Sequence, residues 1–460
     1  MNSENLVVNQ AYTGEVLKNL TMHNATEVDA MLDTAQMLHK QGCLPIHERV
    51  AILQKLADLV ENEHEEFSSL IANEGGKPIR DARVEVTRAV DGIRIAIAEI
   101  RSIKGYQVPM DITPAGAGRN AFTIMEPIGV VVAVSAFNHP LNLAIHQAIP
   151  AVATGCPVII KPAAVTPLCT LRLAELATKA GLPEGWMQVA LTNRENSEKL
   201  VTDSRVAFFS FIGSSKVGWS LKSKLAPGVR CALEHGGVAP LIFDSYHDEN
   251  AFISGVVKAS MYHSGQACVS VQRVYVPADR VQELADKIAD VASKQVVGDA
   301  INEDSDLGPL ILPKETDRIE AWVDEAVAEG AQVITGAKRI NKVSYEPTVL
   351  LNPAKDSKVS TQEIFGPVVC VYGYQNIDSA IEDANSLDVS FQAAVFSDDI
   401  SLAMDVAKKL EASAVMINDY TTFRVDWMPF AGRKHSGYGV GGIGHTMKDM
   451  LEHKMLVIKD

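Results

Sequence analysis

The hydrophobic pattern divides the chain into a helical first hundred residues and a longer strand–helix alternation. Between Val50 and Ile71, apolar residues at 52, 53, 56, 59, 60, 67, 70 and 71 trace one helix-like face, with acidic residues opposite. Gly75-Gly76 and Pro78 stop that stretch, and Asp81 to Ile103 reads as a second amphipathic helix. Gly105 to Asn120 is rich in Gly and Pro and is expected to be irregular or extended. From Glu126 the period changes. Ile128 to Val134 is an unbroken apolar run, as a strand buried on both faces requires, and a second strand is expected at Pro157–Lys161. A helix at 141–153 joins them. Further strands at 187–191 and 206–212 alternate with helices at 168–180, 195–202 and 215–225. Strands separated by helices predict βαβ units and a parallel sheet. A second alternation starts near Pro240, with strands at 241–243, 273–276, 367–372, 393–396 and 414–417. The tail Lys454–Ile458 is a short apolar strand. An exposed apolar edge invites aggregation, so it is expected to pair, with another subunit as one partner.

Composition narrows the class. A chain of 460 residues exceeds the size at which one core stops growing, so two or three domains are expected. Hydrophobic content of 47% with 22% charged residues is globular rather than disordered. A net charge of −15 argues against nucleic acid or an anionic membrane as partner, though not against a local basic pocket. The N-terminus lacks a basic region followed by an apolar stretch, and no apolar run reaches 18 residues. Six cysteines (43, 156, 169, 231, 268, 370) are scattered without paired spacing, which suits a reducing compartment. Neither C-x-x-C nor H-E-x-x-H occurs, so no metal site is expected. A cytoplasmic protein is the expectation.

Five short stretches carry candidate chemistry. In Gly265-Gln-Ala-Cys268-Val-Ser270 the thiol has small neighbours, leaving room for a substrate carbon, although most free cysteines are inert packing residues. His263 lies five residues before it, about 140° away on a helix, so a local Cys–His pair is not favoured. Glu234 sits between an apolar pair and Gly236-Gly237; such a carboxylate near a cleft can be a general base or simply a surface residue at a turn. Asn138 follows the first buried strand, where its amide can face an oxyanion or make ordinary turn bonds. Lys161 ends a strand, at the sheet edge where ligands bind. Phe208 to Gly218 runs a strand into Gly213-Ser214 and a helix, a setting for phosphate or for a plain Ser cap.

Together the stretches match one pattern in order and spacing. Phe-Asn-x-Pro at 137–140, Lys-Pro-x-x-x-Thr-Pro at 161–167 and Phe-Ile-Gly-Ser-x-x-x-Gly at 211–218 come first. Leu-Glu-x-Gly-Gly at 233–237, Gly-Gln-x-Cys at 265–268, Glu-Ile-Phe-Gly-Pro at 363–367 and Pro-Phe-x-Gly-x-Lys-x-Ser-Gly at 429–437 follow. The set resembles the aldehyde dehydrogenase superfamily from about residue 45 to the C-terminus. The resemblance implies an α/β fold: a Rossmann-like cofactor domain (1–104 and 125–236), an α/β catalytic domain (237–435) and a small β oligomerisation arm (105–124 and 451–460). It implies NAD(P)-dependent oxidation of an aldehyde to a carboxylate in a homodimer or homotetramer. In that reading Cys268 attacks the aldehyde to give a thiohemiacetal, and Asn138 with the Cys268 N–H holds the oxyanion. Hydride transfer to nicotinamide leaves a thioester, which Glu234 helps water to hydrolyse. Lys161, Gly213, Ser214 and Gly218 would contact the cofactor, with Glu363 and Phe365 at the nicotinamide ribose and ring.

Departures from the pattern carry information. His235 stands where Leu is usual, Phe137 where Trp is common, and Ala431 where Gly is usual. Ala164 stands where strictly NAD-dependent members often have Glu; it removes a repulsion against a 2′-phosphate without rewarding one, so both NAD and NADP are expected to serve. Positions matching the entry tunnel are Leu143, His146, Ala267, Val269 and the loop 420–427. His146 replaces a Trp and makes the passage more polar, and Ala267 brings no charge. Arg424 can recognise an anionic group through its fork, or pair with Asp426, the option the sequence favours. A small polar or hydroxylated aldehyde is the expected substrate. Glu234 speaks against a CoA-acylating enzyme, and the joint presence of Cys268, Glu234 and Asn138 speaks against a non-catalytic nucleotide-binding descendant or a redox-free cysteine hydrolase.

Overall fold

The computed structural model describes residues 4–459; residues 1–3 and 460, which the expected domain spans include, lie outside the described residues. Two large sheets dominate. The first has strand order 437–438, 230–234, 206–212, 130–134, 158–161, 187–189. All neighbours run parallel except Gly437–Tyr438, which pairs antiparallel with Arg230–Glu234. The strand Val130–Val134 explains why its run is unbroken. Val131 and Ala133 pack under the helices Ile79–Ile100 and Asn142–Thr154, while Val130 and Val132 face the helix Ala25–Gln41. With both faces covered, a polar residue in this strand would be buried without a partner.

The second sheet has order 332–335, 348–351, 368–374, 271–277, 239–243, 392–396, 414–417, parallel except at its first pair. One face carries the helices Glu249–Met261 and Val281–Ala292; the other carries Pro313–Ala328, Ile377–Asn385 and Ile400–Lys409. The carboxyl ends of the first sheet's strands deliver residues 134–138, Lys161, Gly213 and Glu234. The second sheet contributes the amino ends of Val271–Pro277 and Val368–Tyr374, just after Cys268 and Phe365.

Several local expectations are modified. The helical face over 50–71 is two helices, Ile46–Asn62 and His64–Gly75, broken at Glu63, where no apolar residue holds the stripe between Val60 and Phe67. Gly76 ends the second helix in the left-handed region (φ +70°), and a Cβ there would press on Pro309. The first hundred residues are not wholly helical: Asn5–Asn9 and Val16–Thr21 form an antiparallel hairpin. The tail strand Leu451–Lys459 pairs along its length with Arg119–Pro127, which also pairs with Gln107–Val108. The expected arm segments therefore meet within one chain, and the first of them runs on past residue 124 to Pro127. Leu451–Lys459 remains an edge strand, with Met455, Val457 and Ile458 about half exposed.

Two buried carboxylates tie the helical layer to the first sheet. Glu74 accepts from the Leu168 and Cys169 N–H groups at 2.8 and 3.0 Å, at the start of the helix Leu168–Ala180. Glu85 accepts from Leu141 and Asn142 N–H at 3.0 and 3.1 Å, and its second oxygen pairs with Lys77, which is fully buried. These contacts satisfy helix-end donors from a distance and fix where each helix begins. Removing one charge of a buried pair strands the other. Glu85→Gln is therefore expected to lower stability by about 3 kcal/mol or more. Arg83→Gln, which breaks an exposed pair with Glu65, should cost less than about 1 kcal/mol in the same urea titration.

Candidate active site

A cavity of about 800 Å³ opens between the two sheets. Its walls include Asn138, Leu143, His146, Lys161, Ala164, Gly213, Ser214, Glu234, Ala267, Cys268, Val269, Glu363, Phe365 and Arg424. Residues spread over nearly three hundred positions of sequence thus share one space, because the carboxyl ends of the first sheet's strands face the turns that lead into the second sheet's strands. Gly218 is different. It lies behind the wall, where a Cβ would collide with the His235 ring.

Cys268 lies between a tight turn and a strand. His263 and Ser264 both take left-handed backbone angles (φ +50° and +55°), reversing the chain after the helix Glu249–Met261. The Ser264 hydroxyl donates to Gly308 O at 2.6 Å, and Gln266 Nε2 donates to His263 O and Pro309 O at 3.2 Å each. This anchoring offsets the cost of two strained residues. His263 is not on a helix with Cys268, so the helical-spacing argument does not apply. Its ring is buried against His139 with neither nitrogen bonded. Asn138 Nδ2 donates one hydrogen to Gln266 O at 3.0 Å; the amide group has a second, available for an oxygen in the cavity.

Burial governs the site's electrostatics. It raises the Glu234 carboxyl to about 7, with Arg424 partly opposing, and Glu363 to about 8, with Arg318 opposing. The Cys268 thiol is pushed well up by burial, then by the nearby carboxylates of Glu234 and Glu363. The resting pair is thus a neutral thiol beside a carboxylate able to take a proton near neutral pH. Subtracting an infrared titration of Glu234→Gln from that of the wild type should reveal one carboxyl band, full below pH 7 and half lost near it; a Glu234 protonating near 4.5 would contradict this account.

Arg424 is not paired with Asp426, contrary to the option the sequence favours. Asp426 is fully engaged elsewhere: Arg88 grips it through two bonds at 3.0 and 2.7 Å, and His146 Nε2 lies 2.8 Å away. Burial would raise the Asp426 carboxyl, but those bonds hold it well below the usual carboxylate range. Arg424 instead stacks on Phe430 with 3.9 Å to the ring centroid and donates to Met428 O. It has no ion-pair partner among the described residues, and burial lowers its guanidinium to about 10. Arg88 was invisible from sequence, being one of several cations on an amphipathic helix.

The residues present fit a dinucleotide. Glu363 Oε1 is buried with no partner, and the bare Cα of Gly236 makes room for that carboxylate. Gly213 and Ser214 lead into the helix Ser215–Lys222, whose N–H groups suit a pyrophosphate. Lys161 presents an ammonium without a hydrogen-bond partner among the described residues, next to Ala164.

A doubly wound sheet whose carboxyl edge meets a half-buried thiol and carboxylate in one cavity fits a dinucleotide-dependent oxidoreductase that works through a cysteine. The chain belongs to the aldehyde dehydrogenase family, whose model matches residues 1–456. It is similar to 3-sulfolactaldehyde dehydrogenase of Priestia aryabhattai, with 38% identity over 99% of this chain and 95% of that protein. Among solved structures it resembles aldehyde dehydrogenase 21 of Physcomitrella patens in complex with succinate (TM-score 0.96, 34% identity, covering 100% and 95%). It also resembles glyceraldehyde-3-phosphate dehydrogenase GapN of Methanocaldococcus jannaschii complexed with NADP (TM-score 0.94, 32% identity, covering 100% of both chains). The chain is an NAD(P)-dependent aldehyde dehydrogenase.

Proposed function

We propose that the aldehyde carries an anionic group at its far end, recognised by Arg424. The carrying observation is that Arg424 is half-buried in the cavity wall with no carboxylate bound to it, because Arg88 and His146 occupy Asp426. A guanidinium partly withdrawn from water without an ion-pair partner is matched by an anion such as a carboxylate or sulfonate. His146, Leu143, Ala267 and Val269 line the rest of the passage. The relatives named for sulfolactaldehyde and complexed with succinate handle compounds of this kind.

In this reading Cys268 Sγ gives up its proton to solvent and adds to the aldehyde carbon. The oxyanion accepts the free Asn138 amide hydrogen and the Cys268 N–H. The cofactor, when bound, supplies the two-electron oxidation that leaves a thioester. Glu234 then takes a proton from water as it attacks the thioester, releasing carboxylate and thiol. Lys161, Gly213, Ser214, Glu363 and Phe365 hold the cofactor, and Gly218 shapes the loop from behind. Ala164 leaves space beside Lys161 for a 2′-phosphate, so NADP and NAD both serve. The open edge of Leu451–Lys459, with its apolar side chains, supports a homodimer or homotetramer. No helix among the described residues is long and apolar enough to cross a membrane, and all six cysteines are free, which supports a cytoplasmic setting.

Glu234→Gln should retain a burst of reduced cofactor in stopped flow while steady-state turnover falls at least about a hundredfold; loss of the burst as well would remove Glu234 from deacylation. A panel of short aldehydes with both cofactors tests the substrate. Carboxylate- or sulfonate-bearing members should give the highest kcat/KM, and Arg424→Gln should raise their KM about tenfold or more while sparing neutral hydroxyaldehydes. Long aliphatic aldehydes as best substrates, or a preference for NAD above about a thousandfold, would contradict the scheme.

A further inference from the structure

His235 directly follows Glu234, is 2% exposed, and its imidazole lies beneath the phosphate loop. Its Nδ1 is 2.8 Å from Gly213 O. A carbonyl can only accept, so Nδ1 carries the hydrogen and Nε2 is a bare nitrogen. That Nε2 is buried with no partner. In the other direction, the Gly213 N–H donates to Glu234 O at 3.0 Å. The dipeptide Glu234-His235 therefore grips both polar groups of the Gly213 peptide unit. The ring also meets Phe211 edge-on (5.6 Å) and Trp219 (6.0 Å), and fills the space that a side chain at Gly218 would need. His235 N–H in turn donates to Ser436 O at 2.9 Å, which holds the dipeptide against the neighbouring strand.

Packing alone does not account for an imidazole here. Leu offers comparable apolar bulk against Phe211 and Trp219 and leaves no buried nitrogen unbonded, a defect that costs stability. What Leu lacks is the N–H for Gly213 O. We infer that His235 is a positioning residue for the dinucleotide: its Nδ1–H···O bond locks the loop that carries Gly213 and Ser214 to the strand that ends in Glu234. The inference rests on the proposed cofactor role of Gly213 and Ser214.

The test uses the full-length protein and reads dinucleotide binding by calorimetry, without aldehyde, for NAD and NADP separately. His235→Leu should weaken binding about three- to tenfold, the size of effect expected for one buried hydrogen bond. His235→Asn, whose Nδ2 can reproduce the Nδ1 donor, should bring binding back to within about twofold of wild type. With both substrates saturating, kcat of His235→Leu should stay within about twofold, and its melting temperature should equal or exceed that of the wild type. Wild-type binding by His235→Leu overturns the inference, as does an Asn variant as weak as the Leu variant, or a kcat that falls in parallel with affinity. Gly213→Val separates the underlying reading. If it abolishes binding while His235→Leu changes nothing, only the role of His235 fails; if neither affects binding, the loop is not the cofactor site.

Discussion

Taking Cys268, Glu234 and Glu363 out of water into one cavity raises the proton affinity of all three. The chemistry depends on this desolvation. In water the carboxyls would be ionised and poor proton acceptors; buried, Glu234 is matched to neutral pH and the thiol keeps its proton until a base takes it. The same dryness gives each nearby dipole more weight, so an Asn138 amide hydrogen or a Cys268 N–H counts for more than it would at a surface. It also requires a rigid enclosure, since opening the space to bulk solvent would undo the matching.

The enclosure comes from two sheets meeting at opposite strand ends. The first sheet supplies carboxyl ends and the second supplies amino ends, so each catalytic group stands on a short turn anchored by a strand. Glu74 and Glu85 tighten the frame. By accepting helix-end N–H groups they connect the outer helices to the starts of the helices that follow residues 138 and 166. Asn138 is held between the Glu85-anchored helix start and Gln266 O, so the amide donor and the nucleophile loop share a common reference.

Charge is sorted within the enclosure by competition for Asp426. Arg88 and His146 occupy it, with Asn142 Nδ2 adding a longer contact at 3.3 Å. Arg424 is left to an aromatic face and one carbonyl. An acidic chain with a net charge of −15 thereby keeps a half-buried guanidinium available in the cavity that holds its thiol. The balance is a property of geometry, since Arg424 and Asp426 are two residues apart and would be the natural pair in an unfolded chain.

The sequence by itself determined most of the elements and the candidate chemistry. β-branched runs long enough for one strand, interrupted by helical periods, already specify two parallel-sheet units, and the helix 168–180 and the strands 206–212 and 414–417 have the bounds their periodicity predicts. Cys268, Glu234 and Asn138 stand out as candidates because their motifs are local and their order is distinctive, and the fold brings all three to one cavity. Tertiary structure decided everything that depends on which faces meet. The break at Glu63, the hairpin of residues 5–21 and the pairing of 119–127 with 451–459 rest on distant packing or on polar strands with no period of their own. Arg88 became part of the site only when its helix turned that face inward, and Arg424 lost its sequence neighbour to it. Gly218 matched a cofactor motif by position yet serves the ring of His235. Local physics fixes what a residue can do; only the folded chain fixes what stands opposite it.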